Sequence, residues 1–227
     1  MSDAASSRPY REITTCTESY FERKGDSALG MGWPNIPDAV QRYEVMLDMI
    51  RPTAQKVRLL DFGCGTGHLL DHIQQRSDLQ IDYHGVDLSD RFIDICRQKR
   101  PHEEFTAGDV LQHPDLLHTY DYAVINGVFT SKCSMTHDQM FGFVQRILKL
   151  VYSRVTKGMA FNATSKQVDW ERDDLFHLPL DQIAGFLCAE VSRNFVIRND
   201  YGLYEFTTYV FHDDAGTTNA KNGTTPC

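Results

Sequence analysis

Val57-Arg58-Leu59-Leu60-Asp61-Phe62-Gly63-Cys64-Gly65-Thr66-Gly67-His68-Leu69 decides how this chain folds. Val57, Leu59 and Leu60 make an apolar run of strand length. Asp61 and three glycines at alternate positions end it, and Leu69, Leu70 and Ile73 resume at helical spacing. The stretch therefore reads as a buried strand turning sharply into a helix. Glycines at alternate positions let a ligand lie directly on the main chain, with the amides of the next helix pointing at it. That is the construction of a nucleotide-cofactor loop. The dinucleotide spacing G-x-G-x-x-G fails, because His68 stands where the third glycine is needed. A phosphate-cradling Gly-Lys-Ser/Thr is absent as well.

Outward from this loop, strand-like and helix-like stretches alternate. Strands are expected at 57–62, 81–86, 103–106, 120–126 and 156–163, with helices at about 68–76, 90–99 and 137–152. Alternation of this kind means a parallel sheet covered on both faces. The end of the chain differs. Residues 192–198 and 203–211 are strand-like and joined by Asn199-Asp200-Tyr201-Gly202, the signature of an antiparallel hairpin. Upstream, Tyr20, Phe21 and Trp33 precede an amphipathic stretch from Pro37 through Val40, Tyr43, Val45, Leu47 and Ile50, which predicts a helix. The expected organisation is a flexible terminus at 1–12, one domain at 13–212 whose residues 13–52 form a helical lid, and a disordered tail at 213–227.

The pattern Asp61-x-Gly63-x-Gly65-x-Gly67 resembles the first motif of the class I S-adenosylmethionine-dependent methyltransferases, and three more stretches follow in that family's order. Tyr83-His84-Gly85-Val86-Asp87-Leu88-Ser89 ends the second strand, with Asp87 lying 22 positions after Gly65. A Rossmann-like unit puts a ribose-binding carboxylate close to this point. Gly108-Asp109-Val110 follows the third strand, and Asn126-Gly127-Val128-Phe129 ends the fourth. The resemblance implies an α/β fold: a doubly wound, mostly parallel seven-stranded sheet, a C-terminal antiparallel hairpin and an N-terminal helical lid. It also implies S-adenosyl-L-methionine as cofactor. Asp61 and the glycines would hold its methionine part, Asp87 its ribose, and Leu88, Asp109 and Val110 its adenine, with Asn126 completing the set. Amine-methylating relatives that act on nucleic acid or protein carry Asn/Asp-Pro-Pro-Tyr/Phe at the fourth strand end. The departure from that pattern at Gly127-Val128 points to the small-molecule type.

Composition is consistent with an enzyme of this kind. The 227 residues, 41% apolar and 24% charged, are ordinary for a globular chain and long enough to bury roughly three-quarters of their unfolded surface. Against 23 basic residues stand 31 acidic ones, a net charge of −8 that repels polyanions, so nucleic acid is not an expected partner. No run approaches the ~18 apolar residues of a membrane span, and Met1 to Arg11 lack the apolar core of a signal peptide, so a cytoplasmic protein is expected. Cys16, Cys64, Cys96, Cys133, Cys188 and Cys227 stand singly, without C-x-x-C or clustered histidines, so no metal site is expected.

The acceptor side is less legible. Methyl transfer from a sulfonium needs an oriented nucleophile and, for a hydroxyl or protonated amine, a base. Candidates outside the cofactor motifs are His137, Asp169, His177 and Tyr204. The carboxyl-edge rule for open α/β sheets predicts that Asn126 to Phe129, segment 164–178 and the hairpin at Tyr201 share one cavity, lined by Phe129, Trp170, Tyr201, Tyr204, Asp169 and Glu205. Tyr20, Phe21 and Trp33 would cover the cofactor, and Arg42 would pair with its carboxylate. The alternatives are a methyltransferase acting on tRNA or protein, and a non-catalytic cofactor-binding subunit.

Overall fold

Leu59 and Leu60, both at 0% exposure, are neighbours in the first strand yet belong to different apolar clusters. That is the period-two signature of a strand covered on both faces. A computed structural model describes residues 8–213 except Pro34 and Pro52. The expected tail beyond Asp213 and residues 1–7 lie outside the described residues.

Seven strands follow one path: β3 (Glu104–Ala107), β2 (Ile81–Asp87), β1 (Val57–Phe62), β4 (Tyr120–Phe129), β5 (Val155–Ser165), β8 (Glu205–Phe211) and β7 (Phe195–Arg198). A two-residue β6, His177–Leu178, adds to β5. The pairings β3-β2, β2-β1, β1-β4 and β4-β5 are parallel, while β8 is antiparallel to both β5 and β7. Helices α5 (His137–Tyr152) and α6 (Leu180–Glu190) cover the face that holds Leu60, Ala123 and Ile125. Helices α2 (Ile36–Leu47), α3 (His68–Ile73) and α4 (Asp90–Lys99) supply the cluster around Leu59, Tyr122 and Val124. Chain order reverses between β1 and β4, so their carboxyl ends open a crevice where ligands of such sheets bind.

Four elements were not anticipated: α6, β6, a single 3-10 turn at Pro114–Leu116 and a helix α1 at Arg11–Lys24. Helix α1 buries no residue completely, so it carries no apolar stripe for periodicity to reveal. The flexible terminus expected through residue 12 is corrected for its described part. Tyr10 is 4% exposed and stacks on Phe143 at 5.0 Å, and the helix begins directly after it.

Arg42 and Glu205 also depart from expectation. The Arg42 Nε–H donates to both Glu205 carboxylate oxygens at 2.9 Å, and Asn162 Nδ2 donates to Oε1 at 3.0 Å. All three residues are buried, and the Arg42 guanidinium lies over Trp33 at 4.5 Å. The pair ties α2 to β8, and the Arg42 Nε–H expected to meet the cofactor carboxylate is taken by Glu205. Glu205→Ala should strand the guanidinium and destabilise the fold by about 3–5 kcal/mol, whereas Arg42→Met with Glu205→Leu should recover most of the loss. Urea unfolding of the three variants checks this.

Candidate functional site

The strand-to-helix turn has the expected backbone. Gly63 and Gly65 take φ of 76° and 55°, in the left-handed region. A Cβ on Gly63 would meet the Val128 side chain at 2.3 Å, and one on Gly65 would meet Met31 Sδ at 2.9 Å. Bare backbone is thus required at both positions. Asp87 fixes the loop: the Gly65 amide donates to its Oδ2 at 2.9 Å and the Ser89 amide to its Oδ1 at 2.8 Å. A carboxylate offers about four lone pairs, so each Asp87 oxygen keeps one for a diol. Burial raises the Asp87 pKa, against the lowering effect of those amides.

Asp61 is 2% exposed and accepts the Tyr83 hydroxyl at 2.6 Å. Burial lifts its pKa to about 7, offset in part by the Tyr83 bond and reinforced by the Asp87 charge. A cation arriving beside Asp61 would reverse that shift.

A cavity of about 510 Å³ opens from this loop. Asp61, Gly63, Gly65, Asp87, Leu88, Asp109, Val110 and Asn126 all line it, and Gly67 does not. Gly67 is the N-cap of α3, packed toward the Arg100 guanidinium, which corrects its assignment as a cofactor contact. Near Asn126 the β4-β5 register shifts between Ile125 and Phe129, and the Gly127 amide donates to Asn162 Oδ1 at 2.7 Å. This irregularity carries Asn126, Gly127 and Val128 onto the wall. Asn126 Oδ1 is buried without a partner, a polar atom that a bound ligand would satisfy. The bare glycine cradle, the orphaned amide and the carboxylates of Asp61 and Asp87 together fit a ligand bearing an ammonium and a ribose.

Helix α1 closes the cavity, with Ile13, Thr14, Cys16, Thr17 and Tyr20 on its wall beside Met31 and Trp33. Phe21 instead packs on Phe92, 5.4 Å between centroids. The helix is held by polar contacts along its length. Tyr10 and Arg11 donate to Asp109 Oδ2 at 3.0 and 3.2 Å, and Ser89 Oγ donates to Glu18 at 2.5 Å. Arg91 pairs with Glu22 at 2.8 Å. Beyond the helix, Asp26 accepts Thr66 Oγ1 at 2.6 Å and Lys99 Nζ at 2.7 Å and pairs with His68 Nε2 at 2.9 Å. Burial would raise the Asp26 pKa, but the Lys99 and Thr66 bonds outweigh it and hold the carboxyl below its ordinary value. Asp109 also accepts the Leu111 amide on Oδ1 at 3.2 Å, which leaves one lone pair there for an exocyclic amine. Tyr10, Arg11 and Asp26 were missed by sequence reasoning, because nothing local marks a partner some 40 to 100 positions away.

None of the four expected catalytic residues lines this cavity. His177 has both ring nitrogens engaged by backbone: Nδ1 lies 2.9 Å from the Ser165 carbonyl, and Nε2 accepts the Arg172 amide at 3.0 Å. These two bonds fasten the 164–178 segment. Asp169, which accepts the Tyr204 hydroxyl at 2.7 Å, lines with Tyr204, His177 and Trp170 a smaller hollow of about 140 Å³ that shares Arg172 and Leu175 with the cavity wall. His137 packs on Phe176 at 4.9 Å. The shared acceptor cavity expected from Phe129, Trp170, Tyr201 and Glu205 is corrected too. Phe129 is in the core, Trp170 is 71% exposed, and the Tyr201 hydroxyl bonds Thr207 at 2.9 Å. From the 164–178 segment the wall receives Arg172, Asp174 and Leu175. Elsewhere, ligand atoms of His84, Glu104 and His118 come within 4.8 Å of one another. His118 bonds Glu104, while the His84 nitrogens meet the Tyr120 and Thr106 hydroxyls at 2.6 and 2.9 Å, so the trio is a satisfied network. Burial pushes His84 down to about 4, consistent with a neutral ring.

Comparison with known proteins agrees with the motif order. Residues 60–153 match the model of a methyltransferase domain. The Mycobacterium tuberculosis protein Rv1506c, whose own naming as a methyltransferase is provisional, is 26% identical over 152 residues, 66% of this chain and 90% of that protein. The fold is similar to magnesium protoporphyrin IX methyltransferase of Synechocystis PCC 6803, solved with bound S-adenosylmethionine. The TM-score is 0.64 and the identity 14%, covering 93% of this chain and all of the other. It is also similar to the small RNA methyltransferase HEN1, with TM-score 0.55 and 18% identity over 78% of this chain and 25% of the other.

Two outcomes follow from the carboxylates. Asp87→Ala should weaken S-adenosylhomocysteine binding by about 1.5–3 kcal/mol and, by orphaning the Gly65 and Ser89 amides, lower folding stability by about 1–3 kcal/mol. Calorimetry and urea unfolding separate the two effects. Because Asp61 titrates near pH 7, affinity should climb as pH rises toward 7 and fall again above about 8, where an α-amino group loses its proton. Asp61→Asn should flatten the acid limb of that profile.

Proposed function

We propose, on the premise that this chain is a class I S-adenosylmethionine-dependent methyltransferase, that its acceptor is a small molecule presenting an oxygen or nitrogen nucleophile. The observation that carries this reading is the closure of the cavity. Its 510 Å³ lies under α1 and the Met31–Trp33 stretch, a volume suited to a cofactor with a small partner. The overall charge of −8 disfavours a polyanion as a general partner. Among the described residues no helix is long and apolar enough to cross a membrane. A small-molecule enzyme of the cytoplasm is the setting that fits these features.

When bound, S-adenosylmethionine supplies a methyl group on a positively charged sulfur. The residues of the chain have the remaining tasks. Asp61 accepts from the ammonium, and the free lone pairs of Asp87 accept from the ribose hydroxyls. Leu88 and Val110 give the adenine an apolar wall, and Asp109 Oδ1 takes its amine. Asn126, at the end of β4, orients polar groups near the point of transfer. Helix α1 and Trp33 exclude water, so that transfer to water does not compete. On this wall His68, oriented by Asp26, is the imidazole able to receive an acceptor proton, in place of His177 and His137.

The purified protein should bind S-adenosylmethionine and S-adenosylhomocysteine and not NAD. With labelled donor and a fractionated extract, label should enter the low-molecular-weight fraction. Label confined to tRNA or protein would establish the macromolecular alternative. Cofactor binding without transfer to any fraction would favour the non-catalytic one.

A further inference from the structure

Cys16 and Cys133 stand 117 positions apart in the chain, yet their sulfurs lie 2.8 Å from each other. Cys16 sits on α1 and lines the cavity, and Cys133 belongs to the turn that follows β4. Cys133 adopts φ of 50°, rare for a residue with a side chain. The same turn grips the lid a second time, through the Ser134 hydroxyl donating to Glu12. Both thiols are half-buried and reachable from solvent, whereas Cys64 and Cys96 are enclosed beneath the glycine loop. Cys188 stands on α6, away from the mouth.

We propose that Cys16 and Cys133 are a redox-modification site: an oxidant of the peroxide class joins them in a reversible disulfide that straps α1 over the cavity and arrests cofactor exchange. Disulfides of reducing compartments are typically of this transient, sensing kind. Cys16 lines the cavity, so it is the thiol that a peroxide entering there meets first. The Cys16 thiolate attacks the peroxide O–O bond, becoming a sulfenic acid and releasing hydroxide. Cys133 sulfur then attacks the sulfenic sulfur, and its proton leaves with the displaced hydroxyl as water. Two thiols lose two electrons, and one peroxide becomes two waters. The reduced lid is held by hydrogen bonds and ion pairs of small individual worth, which open readily. A covalent strap does not.

The effect on exchange rests on the donor-site reading, but the strap does not. The full-length reduced protein is treated with hydrogen peroxide, quenched and split three ways. Intact mass should fall by about 2 Da, with a peptide map joining Cys16 to Cys133. Tryptic cleavage after Arg23 and Lys24 should slow by about tenfold or more, as should release of labelled S-adenosylhomocysteine loaded beforehand, and dithiothreitol should restore both. Cys133→Ser, and independently Cys16→Ser, should abolish the cross-link and both responses. No cross-link, a cross-link at Cys64 and Cys96 instead, or a Cys16–Cys133 cross-link that leaves cleavage unchanged would each overturn the proposal. Failure of the reduced protein to bind the ligand would count against the donor reading alone, since the mass and cleavage readings still decide the strap.

Discussion

The site depends on the Asp87 carboxylate. By accepting the Gly65 amide on one oxygen and the Ser89 amide on the other, it fastens the glycine loop after β1 to the end of β2. Three of the loop's five residues, Gly63, Gly65 and Gly67, bring no side chain to pack, so packing of Cys64 and Thr66 alone does not set its path. Its shape must be imposed by bonds to its amides, and a buried carboxylate makes strong ones. The same bonds leave Asp87 on the cavity wall with acceptor capacity to spare, so the group that shapes the loop also presents free lone pairs to the cavity. Asp61, one strand over, is held near neutrality by burial and thereby kept responsive to a cation.

The lid is built on a different principle from the sheet it covers. Helices α2, α4 and α5 drive apolar side chains into the core, whereas α1 buries none completely and is tethered through polar contacts to Asp109, Ser89 and Arg91, with Tyr10 before it and Asp26 after it bonded to Asp109 and Thr66. Several of these partners are themselves the residues of the cofactor motifs or their neighbours. The contacts that hold α1 and the wall of the cavity therefore draw on neighbouring or shared groups. Asp109 divides its lone pairs between Tyr10 and Arg11 on one oxygen and the Leu111 amide and the cavity on the other.

The acceptor side shows how a correct topological rule can misplace particular side chains. The carboxyl edge of the sheet does carry the cavity, and the end of β4 does line it. The short β6 strand, however, pairs with β5 and turns His177 onto backbone at Ser165 and Arg172. Glu205 lies on β8 opposite Thr164, where Arg42 and Asn162 claim it. The residues that reach the wall from segment 164–178 are Arg172, Asp174 and Leu175, which no motif distinguishes.

By itself, the sequence determined the alternation of strands and helices, the C-terminal hairpin, the glycine loop and the order of carboxylates after it. These are local quantities: periodicity, turn chemistry and spacing within one βα unit. Eight of the nine residues expected to meet the cofactor stand on the cavity wall for that reason. Only the tertiary structure decided the rest. It set α1 over the mouth, brought Tyr10 to Asp109 and Cys16 to Cys133, and withdrew His177 and Glu205 into structural bonds. Each of those outcomes joins residues far apart in the chain, and which partner a polar side chain finds is settled by where the packed sheet and helices bring it.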